Sequence, residues 1–266
     1  MKDLLIRAAS GVLYITILIG SLFVSKLAFV FVIFLLGALT CAEYSRLRNL
    51  QWWLALPLLL AVFISLHFIE PIPYQGLVLA AIGVAFNCFL IYWLFYKEAS
   101  LSNTLGRFVL IANIVLGFAV ISIIPTDGFE YYKEVMIGVL AMLWANDTFA
   151  YLVGKNIGKT KLMPSVSPNK TVEGLLGGAA GAIMAAVVIW YFFDSFGLIS
   201  WVIMGIIVVI FGSIGDLIQS RIKRIAGVKD SGVIMPGHGG IYDRLDSLIF
   251  AAPFVYLYLI LVCYVS

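Results

Sequence analysis

The amino-acid sequence predicts an all-α, polytopic integral membrane protein of about nine transmembrane helices, with its N-terminus in the cytoplasm and its C-terminus outside. Three observations carry this expectation. The chain is 63% hydrophobic and 12% charged, where a soluble domain is about 45–50% apolar and about 25% charged. Apolar runs of roughly 17–25 residues, long enough to cross a bilayer, recur along the whole length. The cations are also partitioned. With the N-terminus inside, all but Lys26 and Lys133 of the 17 Lys and Arg fall on the cytoplasmic side, where positively charged segments are retained.

The spans are expected at about 5–24, 27–44, 52–70, 74–96, 104–124, 132–154, 172–193, 197–218 and 244–264. The first opens MKDLLIR, like a signal peptide. No small-residue cleavage site closes its apolar run and further spans follow at once, so it reads as a retained helix. Only Ser25 and Lys26 part the first two spans, which makes a tight helical hairpin. Pro71 and Pro73 end the third, TDGFEYYK separates the fifth from the sixth, and Asp194 to Gly197 separate the seventh from the eighth. Residues 1–130, with spans one to five, read as a scaffold. Residues 131–266, with spans six to nine, carry the charged cytoplasmic segments. Cys41, Cys88 and Cys263 lie in apolar runs without a CxxC or His partner and read as small buried hydrophobes. His67 reads as an interfacial residue near the outer end of the third span. Gly177 and Gly181, four apart in the seventh, read as a helix-packing face within or between subunits.

Against this apolar background, the stretch from Phe211 to Ser247 concentrates Arg221, Lys223, Arg224, Lys229 and Arg244 with Asp216, Asp230, Asp243 and Asp246, and adds the turn cluster Gly-Pro-Gly-His-Gly-Gly. A second charged cytoplasmic segment, 155–171, holds Lys170. Asp147 lies roughly two turns from the cytoplasmic end of the sixth span, Asp216 near that of the eighth, and Asp243 and Asp246 share a face at the start of the ninth. Acids within spans are costly and line sites or polar cavities. Clustered carboxylates repel unless cations intervene. Hard oxygen donors without a Cys or His cluster point to Mg²⁺ at Asp216, Asp243 and Asp246, and the sequence leaves a second cation open. Two blander readings stand beside this one: Asp147 as the structural partner of a loop lysine, and the basic run as an anchor on anionic lipid. The second does not explain the interleaved aspartates. Gly237, Gly239 and Gly240 permit close approach of a ligand and turn N–H groups toward phosphate oxygens. His238 reads as a phosphate donor, a metal ligand or a turn-stabilising hydrogen bonder.

Three segments carry a family resemblance. Ser220-Arg221-Ile222-Lys223-Arg224, Lys229-Asp230, Pro236-Gly237-His238-Gly239-Gly240 and Asp243-Arg244-Leu245-Asp246 occur in the order of the signature of the phosphatidate cytidylyltransferases, or CDP-diacylglycerol synthases. Ser167-Pro168-Asn169-Lys170-Thr171-Val172-Glu173-Gly174 resembles a second family element, with Asn169 where the family often has another lysine. Asn146-Asp147-Thr148-Phe149-Ala150-Tyr151 with Gly154 resembles a third. The resemblance covers residues 144–247 and implies formation of CDP-diacylglycerol and pyrophosphate from CTP and phosphatidate, with Mg²⁺, at the cytoplasmic face of the inner membrane. It places catalysis at Asp243, Asp246, Lys223 and Arg224, and the clustering of carboxylates adds Asp216. It places substrate binding at Lys170, Ser167, Arg221, Lys229, Asp230, His238, Gly239, Gly240, Arg244 and Asp147. It implies a homodimer, and no nucleic-acid partner is expected. A cation-coupled transporter is the alternative, motivated by Asp147 and the glycine-rich spans. A CDP-alcohol phosphotransferase is disfavoured because its DGxxAR motif is missing.

Overall fold

The structure, a computed structural model, describes residues 2–70, 72–96, 101–126, 130–237 and 239–265. Pro71, Lys97, residues 127–129 of the expected turn, and His238 lie outside the described residues. In chain order the elements are α1 (Lys2–Val24), α2 (Lys26–Leu47), a 3-10 turn (Trp52–Leu54), α3 (Ala55–His67), α4 (Gln75–Phe95) and α5 (Asn103–Phe108). A π-helical stretch (Val109–Val115) then runs into α6 (Leu116–Ile123), followed by α7 (Lys133–Ile157), β1 (Lys161–Met163), β2 (Ser167–Thr171), α8 (Val172–Phe192), α9 (Leu198–Ile225) and α10 (Tyr242–Val265).

The all-α polytopic class is as expected, but seven rather than nine segments of the described residues have the length and apolarity of a span. The shorter two are the apolar Ala9–Val24 stretch of α1 and the whole of α3. With 13 residues, α3 is about 20 Å long, short of the roughly 30 Å hydrocarbon core. Its apolar run opens as a 3-10 turn, and Pro57, which lacks an amide N–H, falls in the first turn of the helix, where that loss is tolerated.

Small residues decide the closest helix contact. α8 packs back along α7. A Cβ added at Gly177 would come within 2.5 Å of Val153, and one at Gly181 within 2.6 Å of Phe149. The expected packing face is therefore used within the chain. α10 packs on α9, α4 and α6, with Phe211 of α9 and Phe254 of α10 stacked at 3.5 Å between ring centroids. Two amides pin this region. Asn113, in the π-helical stretch, donates to Asn87 Oδ1 at 2.9 Å, and Asn87 donates to the Phe250 carbonyl at 3.0 Å. In an apolar interior such polar groups stay only where they are paired, and the pairing ties α4 and the π-helical stretch to α10. Cys41 is buried as expected; Cys88, also free, is exposed on α4 rather than buried. His67 meets Ser122 of α6 at 2.8 Å.

Between α7 and α8 the chain forms an antiparallel hairpin, Lys161 opposite Thr171 and Met163 opposite Ser167. Glu173 at the start of α8 accepts the Lys159 and Thr160 amides at 3.0 and 3.1 Å, and Thr171 caps the helix through the Gly174 amide. These acceptors supply partners for otherwise unpaired N–H groups. They also hold β2, and with it Lys170, against α9.

Candidate active site

The last turns of α9 carry Asp216, Gln219, Ser220 and Lys223, a spacing that places them on one helical face. Lys170 of β2 forms an ion pair with Asp216, whose other oxygen accepts the Ser220 hydroxyl at 3.2 Å. One turn on, Lys223 Nζ donates to Asp243 Oδ1 at 2.7 Å, and Gln219 donates to the same oxygen at 3.0 Å. Asp243 Oδ2 accepts the amides of Ser231 at 2.8 Å and Gly240 at 3.0 Å. The two pairs differ in burial. The Lys223 and Asp243 side chains are 11% and 4% exposed, those of Lys170 and Asp216 29% and 34%. The second pair is thus the one open to exchange with a ligand.

These elements enclose a cavity of about 400 Å³. Gly11, Tyr14 and Ile15 of α1 and Leu140, Leu143 and Trp144 of α7 form a largely apolar wall. Asp147, Asp216, Lys223, Asp230, Asp243, Arg244 and Asp246 give the charged wall. The cavity therefore crosses the expected division at residue 130, since α1 contributes to it. Its lining carries more carboxylates than cations, so a polyanion can enter only together with positive charge.

Most of the sequence-predicted residues converge here. Asp147, Asp216, Lys223, Asp230, Asp243, Arg244 and Asp246 border the cavity, and Lys170 reaches it through Asp216. Lys170 pairs with Asp216 rather than with Asp147, which accepts the Asn146 side-chain amide at 3.3 Å. Ser167 lies on β2 and Lys229 in the exposed stretch after α9. Arg224 donates to the Val228 carbonyl at 3.1 Å, closing the end of α9. Arg221 points elsewhere. Its guanidinium donates to the carbonyls of Trp93, Leu94 and Tyr96 and lies 4.8 Å from the centre of the Trp93 ring. It fastens α9 to the end of α4, where unpaired carbonyls favour a cation, and it does not border the cavity. Gly239, at φ +89°, and Gly240 serve protein carboxylates: a Cβ at Gly239 would stand 2.8 Å from Asp243 Oδ2, and one at Gly240 2.4 Å from Glu43 Oε2. Among the described residues, no group of three His, Cys, Asp or Glu side chains is placed to hold a metal.

Sequence reasoning missed Gln219, Ser231, Tyr14 and Glu43. The first three carry no distinctive signal. Glu43 does: it is an acid inside an apolar span, and such residues are costly.

A bundle of membrane-length helices encloses a half-charged, half-apolar cavity between the middle of α7, the last turns of α9 and the first turns of α10, which defines a polytopic membrane protein with a charged site inside the bundle. The family model described as the cytidylyltransferase family matches residues 5–262, and the chain belongs to that family. It is 34% identical over 269 residues to the phosphatidate cytidylyltransferase of Bacillus subtilis, covering 98% of this chain and 99% of that one. It is 41% identical over 152 residues to that of Staphylococcus aureus strain COL, 56% of each chain. It is also 34% identical over 221 residues to the uncharacterized protein YnbB of Escherichia coli, 76% of this chain and 74% of the other.

Proposed function

We propose that this protein transfers a cytidylyl group from CTP to phosphatidate, releasing pyrophosphate and leaving CDP-diacylglycerol in the bilayer. The observation that carries the reading is the two-sided cavity, with Asp216 and the signature residues Lys223, Asp243, Arg244 and Asp246 on one wall and apolar residues of α1 and α7 on the other. A phosphate headgroup suits the first wall, and the hydrocarbon attached to it suits the second.

A phosphatidate oxygen attacks the α-phosphorus of CTP. The new P–O bond forms as the bond to the β-phosphate oxygen breaks, and pyrophosphate leaves with the electron pair. A phosphomonoester has its second pKa at about 6, so the nucleophile is already ionised near neutral pH and needs no strong general base. The obstacle is repulsion between two anions, which fixed cations and exact alignment relieve. Lys223, held by Asp243, and Arg244 are the cations on the cavity wall. Lys170, in its more open pair with Asp216, can exchange that carboxylate for a phosphate.

The carboxylate excess in the lining supports a divalent cation, and Mg²⁺ binds through one or two carboxylates plus substrate phosphates rather than through an all-protein cage. Asp216 and Asp246 suit that role. Asp243 suits it less, because four donors already occupy its roughly four acceptor positions. When bound, Mg²⁺ supplies neutralisation of the CTP phosphates and of the departing pyrophosphate. The cation partition supports a cytoplasmic site in the bacterial inner membrane, where CTP is available.

The test is the full chain, purified in detergent, with labelled CTP, phosphatidate and Mg²⁺. The expected result is a label that passes into the organic phase, equimolar pyrophosphate, and dependence on all three components. No lipid-soluble product, together with cation flux in proteoliposomes that needs neither CTP nor phosphatidate, would favour the transporter instead.

A further inference from the structure

One acid at the charged end of the fold has no part in the chemistry above. Glu43 of α2 is 2% exposed. Its Oε1 accepts the Ile241 amide at 3.0 Å, and its Oε2 accepts the Tyr242 amide at 2.9 Å and the Ser231 hydroxyl at 3.2 Å. Among the described residues it forms no ion pair with Lys or Arg. A buried charge without a counter-ion persists only when hydrogen bonds replace its water. Here the donors are amides at the start of α10, where helix N–H groups have no partners of their own and the dipole favours an anion.

The hydrogen bonds of Glu43 interlock with those of Asp243. Ser231 gives its amide to Asp243 and its hydroxyl to Glu43. Of three successive amides, Gly240 bonds Asp243, and Ile241 and Tyr242 bond Glu43. The backbone makes room for this: a Cβ at Gly232 would meet Glu43 Oε1 at 2.6 Å, and its other nearest atoms also belong to Glu43.

We propose that Glu43 is a positioning residue of the active site, which fixes Ser231 and the Ile241–Tyr242 backbone so that Asp243 holds Lys223 at the cavity. Two carboxylates grip this stretch, Asp243 from α10 and Glu43 from α2. Released by Glu43, this stretch keeps Asp243 and the Ser10 hydroxyl bond to the Pro236 carbonyl but loses its tie to α2, and Lys223 and Arg244 lose their fixed relation to the transferring phosphate. Small misplacements of such groups slow the chemical step.

The inference rests on the cytidylyltransferase reading only for its kinetic half. Two variants of the full chain in detergent test it. Glu43→Gln keeps the size of the side chain and removes its charge and an acceptor. Gly232→Ala keeps the carboxylate and its charge but wedges it away from its donors. Hydrogen–deuterium exchange should accelerate about tenfold or more in peptides covering 231–245, with the other helices unchanged. The kcat should fall by on the order of tenfold to a hundredfold, with the KM for CTP within about threefold of wild type. A role in stability alone would lower the melting temperature and leave kcat per folded molecule intact. Wild-type exchange in 231–245, or kcat within about twofold of wild type in the folded variants, overturns the proposal. If Glu43→Gln does not fold, Gly232→Ala carries both readouts by the same criteria. If the wild-type chain transfers no cytidylyl group, the functional reading fails, and the exchange measurement alone decides on Glu43.

Discussion

Asp243 and Asp246 stand three residues apart at the head of α10, yet their surroundings assign them different work. Asp243 accepts from Lys223, Gln219, Ser231 and Gly240, whereas Asp246 accepts the Ser247 amide and borders the cavity. The two asparagine variants should therefore separate. Asp246→Asn should fold normally, lose most turnover and need more Mg²⁺ for what remains, as an activity titration in detergent would show. Asp243→Asn puts an NH₂ group against donors and leaves Lys223 without its counter-charge, so it should lower stability by about 3 kcal/mol, seen as a lower melting temperature. An unchanged Mg²⁺ curve for Asp246→Asn would remove that residue from the metal site.

The site is aimed by whole elements. The hairpin brings Lys170 to α9, and Arg221 fastens α9 to the carbonyl end of α4. Arg221→Ala should thus act on stability, by about 1.5–3 kcal/mol for lost charged hydrogen bonds, while the KM for CTP stays at the wild-type value. A large rise in that KM with normal melting would return Arg221 to substrate binding. The contact of α7 with α8 makes an independent prediction. A Cβ at Gly178 would lie 2.5 Å from Asn146 Oδ1 and 2.8 Å from its carbonyl oxygen, so Gly178→Val should overpack the interface. The expected loss is about 1–3 kcal/mol by thermal denaturation. Melting at the wild-type temperature would mean that the two helices are not closely packed there.

For the whole molecule, the cation partition makes a prediction about sidedness. Val233, 90% exposed, belongs to the charged end; Asp194, also exposed, lies in the turn between α8 and α9. With Cys41, Cys88 and Cys263 replaced, Val233→Cys should react with an impermeant thiol reagent only from the cytoplasmic side and Asp194→Cys only from the outside. The opposite pattern would invert the orientation and carry the site with it.

The membrane class, seven of the nine expected spans and the charged stretch from Asp216 to Asp246 were legible in the sequence. Each is a sum of local properties: apolar length, sign of charge, and the rarity of acids in a hydrophobic chain. The pairings were not legible. Arg221 stands among site residues in the chain and serves α4 in space, because it lies one residue from Ser220 yet its side chain leaves the helix toward α4. α3 stops short of a full span because its apolar run opens as a 3-10 turn and only Ala55–His67 is α-helical. Glu43 meets Ile241 across 198 positions of sequence, a distance over which no spacing or periodicity speaks. Composition determined what the molecule lives in and where its charge gathers. Only the tertiary structure decided which carboxylate holds which cation, because a buried charge takes the partners that folding brings within about 3 Å, whatever their separation along the chain.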